Sequence, residues 1–307
     1  MSFLAQNLVN GLSLGSIYAL VALGYTLVYG ILRLINFAHG DLFMLAAYAG
    51  LGACIGAGLG DLGTAAAPQS SWGGFALALA ASMAAAAAAG WLVERLAYRP
   101  LRGQPRLNLL ITAVGVSLLL ENGAQALWGA NPRRMPTLIY DVPCLQVAGV
   151  TISTLDVTVL ATALALLAAL EFWVHHTRQG RAMRAVSVSH ETAALLGVPV
   201  DRVISLTFAV GSALAAAAAV LYTARYPKVE PFMGVMPGIK AFVAAVLGGI
   251  GNLRGAVAGA LLLGLAETLV AAYGASSWRD ALAFGLLIAV LLLRPQGLMG
   301  GTAVEKV

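Results

Sequence analysis

The chain has 307 residues, of which 60% are hydrophobic and only 10% are charged, and its mean hydropathy is +0.86. A soluble globular domain is about a quarter charged, so this composition excludes a soluble protein and indicates a lipid environment. The net charge of +5 does not indicate nucleic-acid binding, because the arginines occupy short loops where membrane-orientation rules account for them. We therefore expect the lipid bilayer, and no nucleic acid, among the partners.

Apolar segments recur along the chain, and most are long enough to cross a hydrocarbon layer of ~30 Å as a helix. They lack the alternating pattern of outer-membrane strands. The fold class is therefore predicted to be all-α: one polytopic integral membrane domain over 1–307, with about eight or nine transmembrane helices and glycine-broken segments. The predicted spans are 5–30, 36–58, 74–94, 107–128, 155–174, 203–224, 237–251, 255–272 and 280–294.

Two glycine-rich regions leave the number of crossings open. Residues 237–272 contain seven glycines, and the first 50 residues show the same enrichment. Each region is compatible with two full crossings or with a broken, partly re-entrant element. Glycine-interrupted short spans occur near the pathway of many transporters.

The positions of the arginines predict the orientation. The loops 95–106 and 176–202 carry four arginines each and are separated by two spans, so both can lie on the cytoplasmic side. This places the C-terminus in the cytoplasm and the N-terminus outside. The loop 129–154 then faces outward, although Arg133 and Arg134 make it a mild exception to the rule.

The loop 176–202 contains a short helix with clear start and stop signals. Ser189 is a suitable N-cap, and Glu191 falls in the first turn, where the helix dipole favours an anion. Gly197 suits the left-handed C′ position, and Pro199 prevents continuation. Because a helix of two turns is marginal in water, we expect it to pack on something. It is either a turn lying on the inner membrane face or a helix inserted into a groove of a partner protein.

The spacing of Glu191, Ala193 and Gly197 favours the partner, because it resembles the EAA---G motif of ABC-importer permeases, with Thr192 in place of the first alanine. Other segments resemble the LivH-type permease of the branched-chain amino acid ABC importer. Together with the motif they extend over nearly the whole chain. They are Ala22–Asp41, Gly180–Ser187, Glu191–Gly197, Lys240–Glu267 and Leu293–Gly300.

This resemblance implies a multi-pass subunit of a bacterial cytoplasmic (inner) membrane importer. Its partners would be a second, LivM-type permease subunit, two cytosolic ATPase subunits and a periplasmic substrate-binding protein. The residues implied to couple this chain to the ATPases are Gly180, Arg181, Arg184, Ser189, Glu191, Ala193, Ala194 and Gly197.

The chain itself is predicted not to be an enzyme and to hold no cofactor or metal. Its three lysines follow Pro227, Ile239 and Glu305, so no Gly-Lys pair of a phosphate-binding loop exists. ATP and Mg²⁺ are therefore expected on the partner subunits. No catalytic residue is predicted.

Two groups of residues are candidates for the translocation path. The first is Asn36, His39, Gly40 and Asp41, where Asn36 and His39 are three apart and are predicted to share a helix face. The second is Gly248, Gly249 and Gly251. An alternative for the first group is a helix start near the interface, with Asp41 satisfying amides or pairing with Arg33.

Two alternative functions remain open. A permease of the same family could carry urea or short amides. An ion-coupled secondary transporter would use a buried acidic residue such as Asp41, Glu121 or Glu267.

The predicted orientation can be tested by cysteine labelling in intact cells, which expose the outer side, and in inverted membrane vesicles, which expose the cytosolic side. A membrane-impermeant thiol reagent should reach Ser189→Cys only from the cytosolic side and Thr137→Cys only from outside, because the arginine-rich loops face inward. The opposite labelling pattern would overturn this topology.

Overall fold

The computed structural model describes residues 2–59, 72–147, 149–274 and 276–300, and most of these residues are helical, as the predicted fold class requires. The α-helices in chain order are α1 (Ser2–Leu32), α2 (His39–Gly56), α3 (Trp72–Val93), α4 (Arg106–Trp128), α5 (Thr154–His176), α6 (Arg178–Val188), α7 (His190–Leu195), α8 (Val200–Arg225), α9 (Val235–Gly248), α10 (Leu253–Tyr273) and α11 (Arg279–Leu293). A π-helical turn (Glu94–Tyr98) and a 3₁₀ turn (Arg99–Leu101) extend α3, and another 3₁₀ turn (Ser276–Trp278) precedes α11.

Four short strands complete the described structure. β1 (Arg133–Arg134) pairs antiparallel with β4 (Lys228–Val229), and β2 (Pro143–Val147) pairs antiparallel with β3 (Val150–Ser153). All four lie in the loop 129–154 or directly after α8, so they cover one end of the helical bundle. The sequence pattern did not predict them.

Seven helical segments in the described part of the chain are long and apolar enough to cross a membrane: α1, α3 with its extension, α4, α5, α8, α10, and α11 with the turn before it. The remaining hydrophobic helices, α2 and α9, have 18 and 14 residues. At 1.5 Å per residue α9 is about 21 Å long, which is less than the ~30 Å of a hydrocarbon layer, and α2 is less apolar because His39 and Asp41 lie in its first turn. The predicted eight or nine crossings therefore correspond to seven full spans and two shorter helices.

One arrangement of three consecutive helices occurs twice, with opposite chain direction: α1–α2–α3 in the first half and α8–α9–α10 in the second. The long first helix of each half packs against the other half, α1 against α9 and α10, and α8 against α2 and α3. α1 ends beside α7, since Nε2 of His190 lies 2.9 Å from the carbonyl oxygen of Ile31, whereas α8 begins directly after α7. In both halves a non-glycine residue with positive φ, Arg33 (52°) or Phe232 (69°), reverses the chain before the short helix.

The two short helices begin next to each other inside the bundle. A Cβ atom on Gly234, directly before α9, would lie 1.9 Å from the carbonyl oxygen of Gly40 in α2. The neighbouring ring of His39 packs on Tyr25, with 4.6 Å between ring centroids. Tyr25 lies seven residues before the end of α1, or about 10 Å along the helix. Each short helix therefore runs from the interior toward one face only. Of the two alternatives for the glycine-rich regions, the broken, partly re-entrant element is the one that matches the structure.

Contacts between loops define the two faces of the molecule. On the face that carries α7, the α3–α4 connection pairs with the start of α8 through Arg102 and Asp201 (2.6 Å), and Nδ2 of Asn252 donates to the carbonyl of Met299 (2.8 Å). We call this the α7 face. On the opposite face, the first turns of α1 contact β3 through Gln6, whose side chain donates to the Thr151 carbonyl (3.0 Å). The two arginine-rich loops and the C-terminal segment thus lie together, as the predicted topology requires.

Part of the predicted secondary structure was wrong on the α7 face. The polar loop contains an eleven-residue helix, α6, in addition to the short helix that was predicted. Asn36 precedes α2 and does not share a helix face with His39, because the Asn36 carbonyl accepts the first helical amide, that of His39 (3.1 Å).

The contact between α1 and α10 predicts a strong effect of one methyl group. In Gly264→Ala the new Cβ would lie 2.4 Å from the backbone nitrogen of Gly15, which cannot move aside as a side chain can. We expect a loss of about 1–3 kcal/mol, or misfolding, measured as a lower temperature at which the detergent-solubilised protein aggregates. The matched control is Gly115→Ala, whose Cβ meets nothing within 4 Å. Equal thermal stability of the two variants would contradict this packing.

Candidate functional site

The corner between α5 and α6 fixes the start of the polar segment. The Thr177 side chain accepts a hydrogen bond from the Gly180 amide (3.1 Å) and donates to the Trp173 carbonyl (2.6 Å). A Cβ on Gly180 would lie 2.2 Å from the Val174 carbonyl oxygen, and Arg184 donates to the same carbonyl. Gly180 and Arg184 therefore hold α6 against the end of α5.

α6 is amphipathic, which explains why it stays on the surface of the bundle. Gly180, Met183 and Val186 are buried, whereas Arg181 and Arg184 are exposed. Three buried positions at a spacing of three residues are the helical signal that was available in the sequence. The many polar residues between them hid it.

α7 follows the predicted start and stop signals. The Ser189 hydroxyl accepts a hydrogen bond from the Thr192 amide (3.2 Å), and Glu191 lies exposed in the first turn. Gly197 has a φ of +79°, the left-handed conformation expected after the helix. The start of α7 at Ser189 and its end before Gly197 are therefore confirmed.

One side of α7 attaches it to the bundle. Ala193 is buried, with 2% of its surface exposed, and its carbonyl accepts the Val198 amide (3.0 Å). Thr192, where the family motif has alanine, is exposed and donates its hydroxyl to that of Ser189 (3.1 Å). The departure from the motif therefore adds a bond at the cap and does not disturb the buried side.

The other side of α7 presents large apolar side chains. Leu195 is 87% exposed, Leu196 is 77% exposed, and Val188 at the end of α6 is 81% exposed. Ala194 is exposed beside them. A cluster of exposed large apolar residues among charged ones is typical of a protein contact surface. We call these four residues the α7 tip.

An ionic cluster connects the α3–α4 link with the start of α8 next to α7. Glu94 is fully buried in the π-helical turn and binds Arg102 and the hydroxyl of Ser205. Asp201, in the first turn of α8, binds Arg99 and also Arg102 (2.6 Å). The two chain segments on either side of α7 are thereby tied together.

The residues Asn36, His39, Gly40 and Asp41 lie together in the interior. Asn36 accepts a hydrogen bond from the Tyr98 hydroxyl (2.8 Å), and Gly40 packs against Gly234. Asp41 is 2% exposed, and its carboxyl group lies next to the Ser117 and Glu121 side chains of α4. The structure gives these contacts in place of the alternative pairing of Asp41 with Arg33.

The second predicted path group lies elsewhere. Gly248 packs on Gly255, and the C-terminal segment covers the turn after α9, since the Met299 amide donates to the Gly248 carbonyl (3.0 Å). Gly249 and Gly251, in that turn, have positive φ values of 108° and 94°. The two groups sit at opposite ends of α9, about 20 Å apart. The structure does not bring them together, and their role in a path stays a prediction.

Glu267, one of the acidic candidates for ion coupling, lies in an ion pair. Its carboxylate binds Nζ of Lys240 (2.5 Å) and accepts the Tyr18 hydroxyl (3.0 Å), and Lys240 also binds Asp280 (2.8 Å). Charged groups at membrane depth are tolerated when they are paired in this way. Asp41 and Glu121, by contrast, have no cationic partner among the described residues.

Removing one partner of the buried pair should destabilise the protein. Lys240→Met leaves the Glu267 carboxylate, 3% exposed, without its buried cation, and we expect a loss of about 3–5 kcal/mol. The double variant Lys240→Met/Glu267→Gln should recover most of this loss, because an uncharged acceptor for Tyr18 remains. Thermal unfolding in detergent measures both. A double variant as unstable as the single one would show that the charge pair does not stabilise the bundle.

Comparison with known proteins places this geometry in a family. A family model described as "Branched-chain amino acid transport system / permease component" matches residues 7–291. The high-affinity branched-chain amino acid transport system permease protein LivH of Escherichia coli (strain K12) is 42% identical over 309 residues, covering 99% of this chain and 98% of the relative. The LivH protein of Salmonella typhimurium is equally similar.

BraD of Pseudomonas aeruginosa, with the same descriptive name, is 42% identical over 305 residues, or 98% of this chain and 97% of BraD. A solved structure, PsaBC from Streptococcus pneumoniae in complex with Fab, has a TM-score of 0.46 at 14% identity and covers 96% of this chain and 93% of that chain, a likeness too distant to support an argument. The family match and the seven membrane-spanning segments agree. The chain is a multi-pass membrane protein that belongs to the family of permease components of branched-chain amino acid transport systems.

Proposed function

We propose that this chain is the membrane-spanning subunit of an ATP-driven importer that translocates branched-chain, hydrophobic amino acids. LivH and BraD, which are 42% identical to this chain over nearly its full length, support this substrate class, because both are named as high-affinity branched-chain amino acid transport system permeases. Urea and short amides are the alternative substrates. The observation that supports ATP-driven transport is the exposed apolar surface of the α7 tip.

The α7 tip combines firm attachment with an unsatisfied contact surface. Gly180 and Arg184 hold α6 on α5, and Ala193 holds α7 on the bundle. Leu195 and Leu196 nevertheless remain exposed on the side that faces away. A rigidly mounted helix with an apolar end fits the groove of a partner subunit, as helices docked in grooves do elsewhere. We assign this partner as a cytosolic ATPase.

ATP hydrolysis then takes place outside this chain. Two ATPase subunits would bind ATP with Mg²⁺, and their closure would move the α7 helices of two permease subunits. α7 is joined to α8 through residues 196–199, and His190 of α7 contacts the end of α1, so this motion would reach both inverted halves of the bundle. Rocking of inverted halves against each other is a recurrent route to alternating access.

The proposed orientation follows from the arginine count. The α7 face lies in the cytoplasm, and the N-terminus of α1, together with the β-strands, lies on the periplasmic side of the bacterial inner membrane. A periplasmic binding protein would deliver the substrate to that face. A LivM-type permease would be the second membrane subunit.

Two buried polar atoms support a gating role for the start of α2. Nε2 of His39 and Oδ2 of Asp41 have no hydrogen-bond partner among the described residues, although both residues are at most 2% exposed. Unsatisfied buried groups are rare, and they often mark places that rearrange or bind water. We place a gate here, where the starts of the two short helices meet.

The coupling role of α7 is tested by shortening its apolar side chains. Leu195→Ala/Leu196→Ala should lower ATPase association about tenfold or more, because residues in the centre of an interface carry most of its binding energy. Gly197→Pro, and Glu191→Arg combined with Ala194→Trp, should abolish uptake while insertion into the membrane is retained. Co-purification with the ATPases and uptake of labelled leucine measure these effects.

A control is Val142→Ala/Leu145→Ala, which shortens two exposed apolar residues (52% and 53%) on the opposite face. It should keep ATPase association. Unchanged association and uptake in the α7 variants would refute the docking role.

The ion-coupled alternative is tested with reconstituted protein. A secondary transporter would be favoured if the lone chain transported substrate along a proton or sodium gradient and lost this transport in Asp41→Asn. Transport that requires the ATPase subunits and ATP would support the proposed function.

A further inference from the structure

A groove of about 800 Å³ opens beside α7, between the end of α3 and the start of α8. Its walls are formed by Trp91 and Arg95 on one side and by Arg202, Leu206 and Ala209 on the other. The groove shares one residue with the α7 tip, Ala194, which lies at its rim. Apart from Ala194, the proposed function does not use the residues that line it.

The rim of this groove carries positive charge that is not neutralised. Arg99 pairs with Asp201. Arg95 and Arg202 are both exposed, and neither has a carboxylate partner among the described residues. The Arg95 guanidinium instead lies over the Trp91 ring, 5.0 Å from its centroid. Two free guanidinium groups at one rim form a site for an anion, because each presents several N–H donors.

The lower part of the groove is apolar and belongs to membrane-spanning segments. Trp91, near the end of α3, lies about one turn below Arg95 of the π-helical turn, and Ala209 lies seven residues below Arg202 in α8, or about 10 Å deeper. Leu92 and Leu96, beside Trp91 and Arg95 on the outer surface, are 48% and 68% exposed. Tryptophan and arginine at this level are typical of the membrane–water interface. The groove therefore continues from the aqueous rim into the hydrocarbon layer.

A protein docked on the α7 face would cover the rim but would leave this apolar slot empty. A phospholipid fills both parts, since its phosphate meets the arginines and its acyl chains follow Trp91, Leu206 and Ala209. We infer that the groove binds one anionic phospholipid, with Arg95 and Arg202 holding the headgroup phosphate. Basic pockets between transmembrane helices are known to bind anionic headgroups. The site adjoins the ionic cluster of Arg99, Arg102 and Asp201, so a bound lipid would brace the α3–α4 link next to α7.

Native mass spectrometry of the full-length chain in mild detergent tests this inference with added phosphatidylglycerol or phosphatidylcholine. We expect one tightly bound phosphatidylglycerol and no comparable binding of phosphatidylcholine. Arg95→Gln/Arg202→Gln should lower the affinity for phosphatidylglycerol roughly tenfold to thirtyfold, since each basic residue near an anionic lipid headgroup contributes a factor of about five. The control Arg134→Gln/Arg279→Gln removes two exposed arginines on the opposite face and should bind as the unchanged protein does.

A second variant tests the apolar slot without changing the charge. Ala209→Trp places a large side chain in the slot and should also displace the lipid, whereas millimolar inorganic phosphate should not. Equal binding of the two lipids, or full binding by Arg95→Gln/Arg202→Gln, would overturn the inference. Displacement by inorganic phosphate alone would reduce the groove to a simple anion site and would also overturn it. The inference would also be overturned if Arg95→Gln/Arg202→Gln kept its lipid binding but no longer co-purified with the ATPases. The groove would then belong to the protein interface.

Discussion

Backbone contact between helices, made possible by glycine, is the constraint on which the rest of this bundle depends. Helices in a bilayer gain little from the hydrophobic effect, so they associate through close packing and hydrogen bonds. Here α1 and α8 cross at Gly24 and Gly211, where a Cβ on Gly24 would lie 2.7 Å from the Gly211 carbonyl oxygen. Because the two long helices approach so closely, α2 and α9 can begin side by side in the interior at Gly40 and Gly234. The inverted halves are thereby joined at their centre.

This central contact and the α7 face are connected through the helices themselves. α7 is short, but it lies between α6, which is anchored on α5, and α8, which is among the most buried of the spanning helices. The ionic cluster around Glu94 and Asp201 adds the end of α3 to the same unit. A push on the α7 tip would therefore move α8, and with it the crossing at Gly211. This gives the proposed coupling a physical route from the membrane surface to the interior.

The charges inside the membrane fall into two kinds with different consequences. Lys240 and Glu267 neutralise each other, so their role is explained by stability. Asp41 and Glu121 meet as two carboxyl groups, and Oδ2 of Asp41 has no hydrogen-bond partner among the described residues. Such an arrangement is costly in a low-dielectric environment and is retained only where it is useful. The start of α2 is for this reason the most informative place for functional variants.

Much of this protein follows from its sequence alone. Apolar runs determine the all-α membrane fold, arginine-rich loops determine which segments share a face, and local capping chemistry at Ser189 and Gly197 determines α7, because all these signals act within a few residues. Tertiary structure decided the rest. The helix α6 was hidden in the sequence because its buried positions are few. The exposure of the apolar Leu195 side chain depends on which side of α7 meets the bundle. The contact between Asp41 and Glu121 joins residues that are 80 positions apart in the chain. The inverted repeat was also undetected, since its halves share contacts and chain geometry, which no local pattern records.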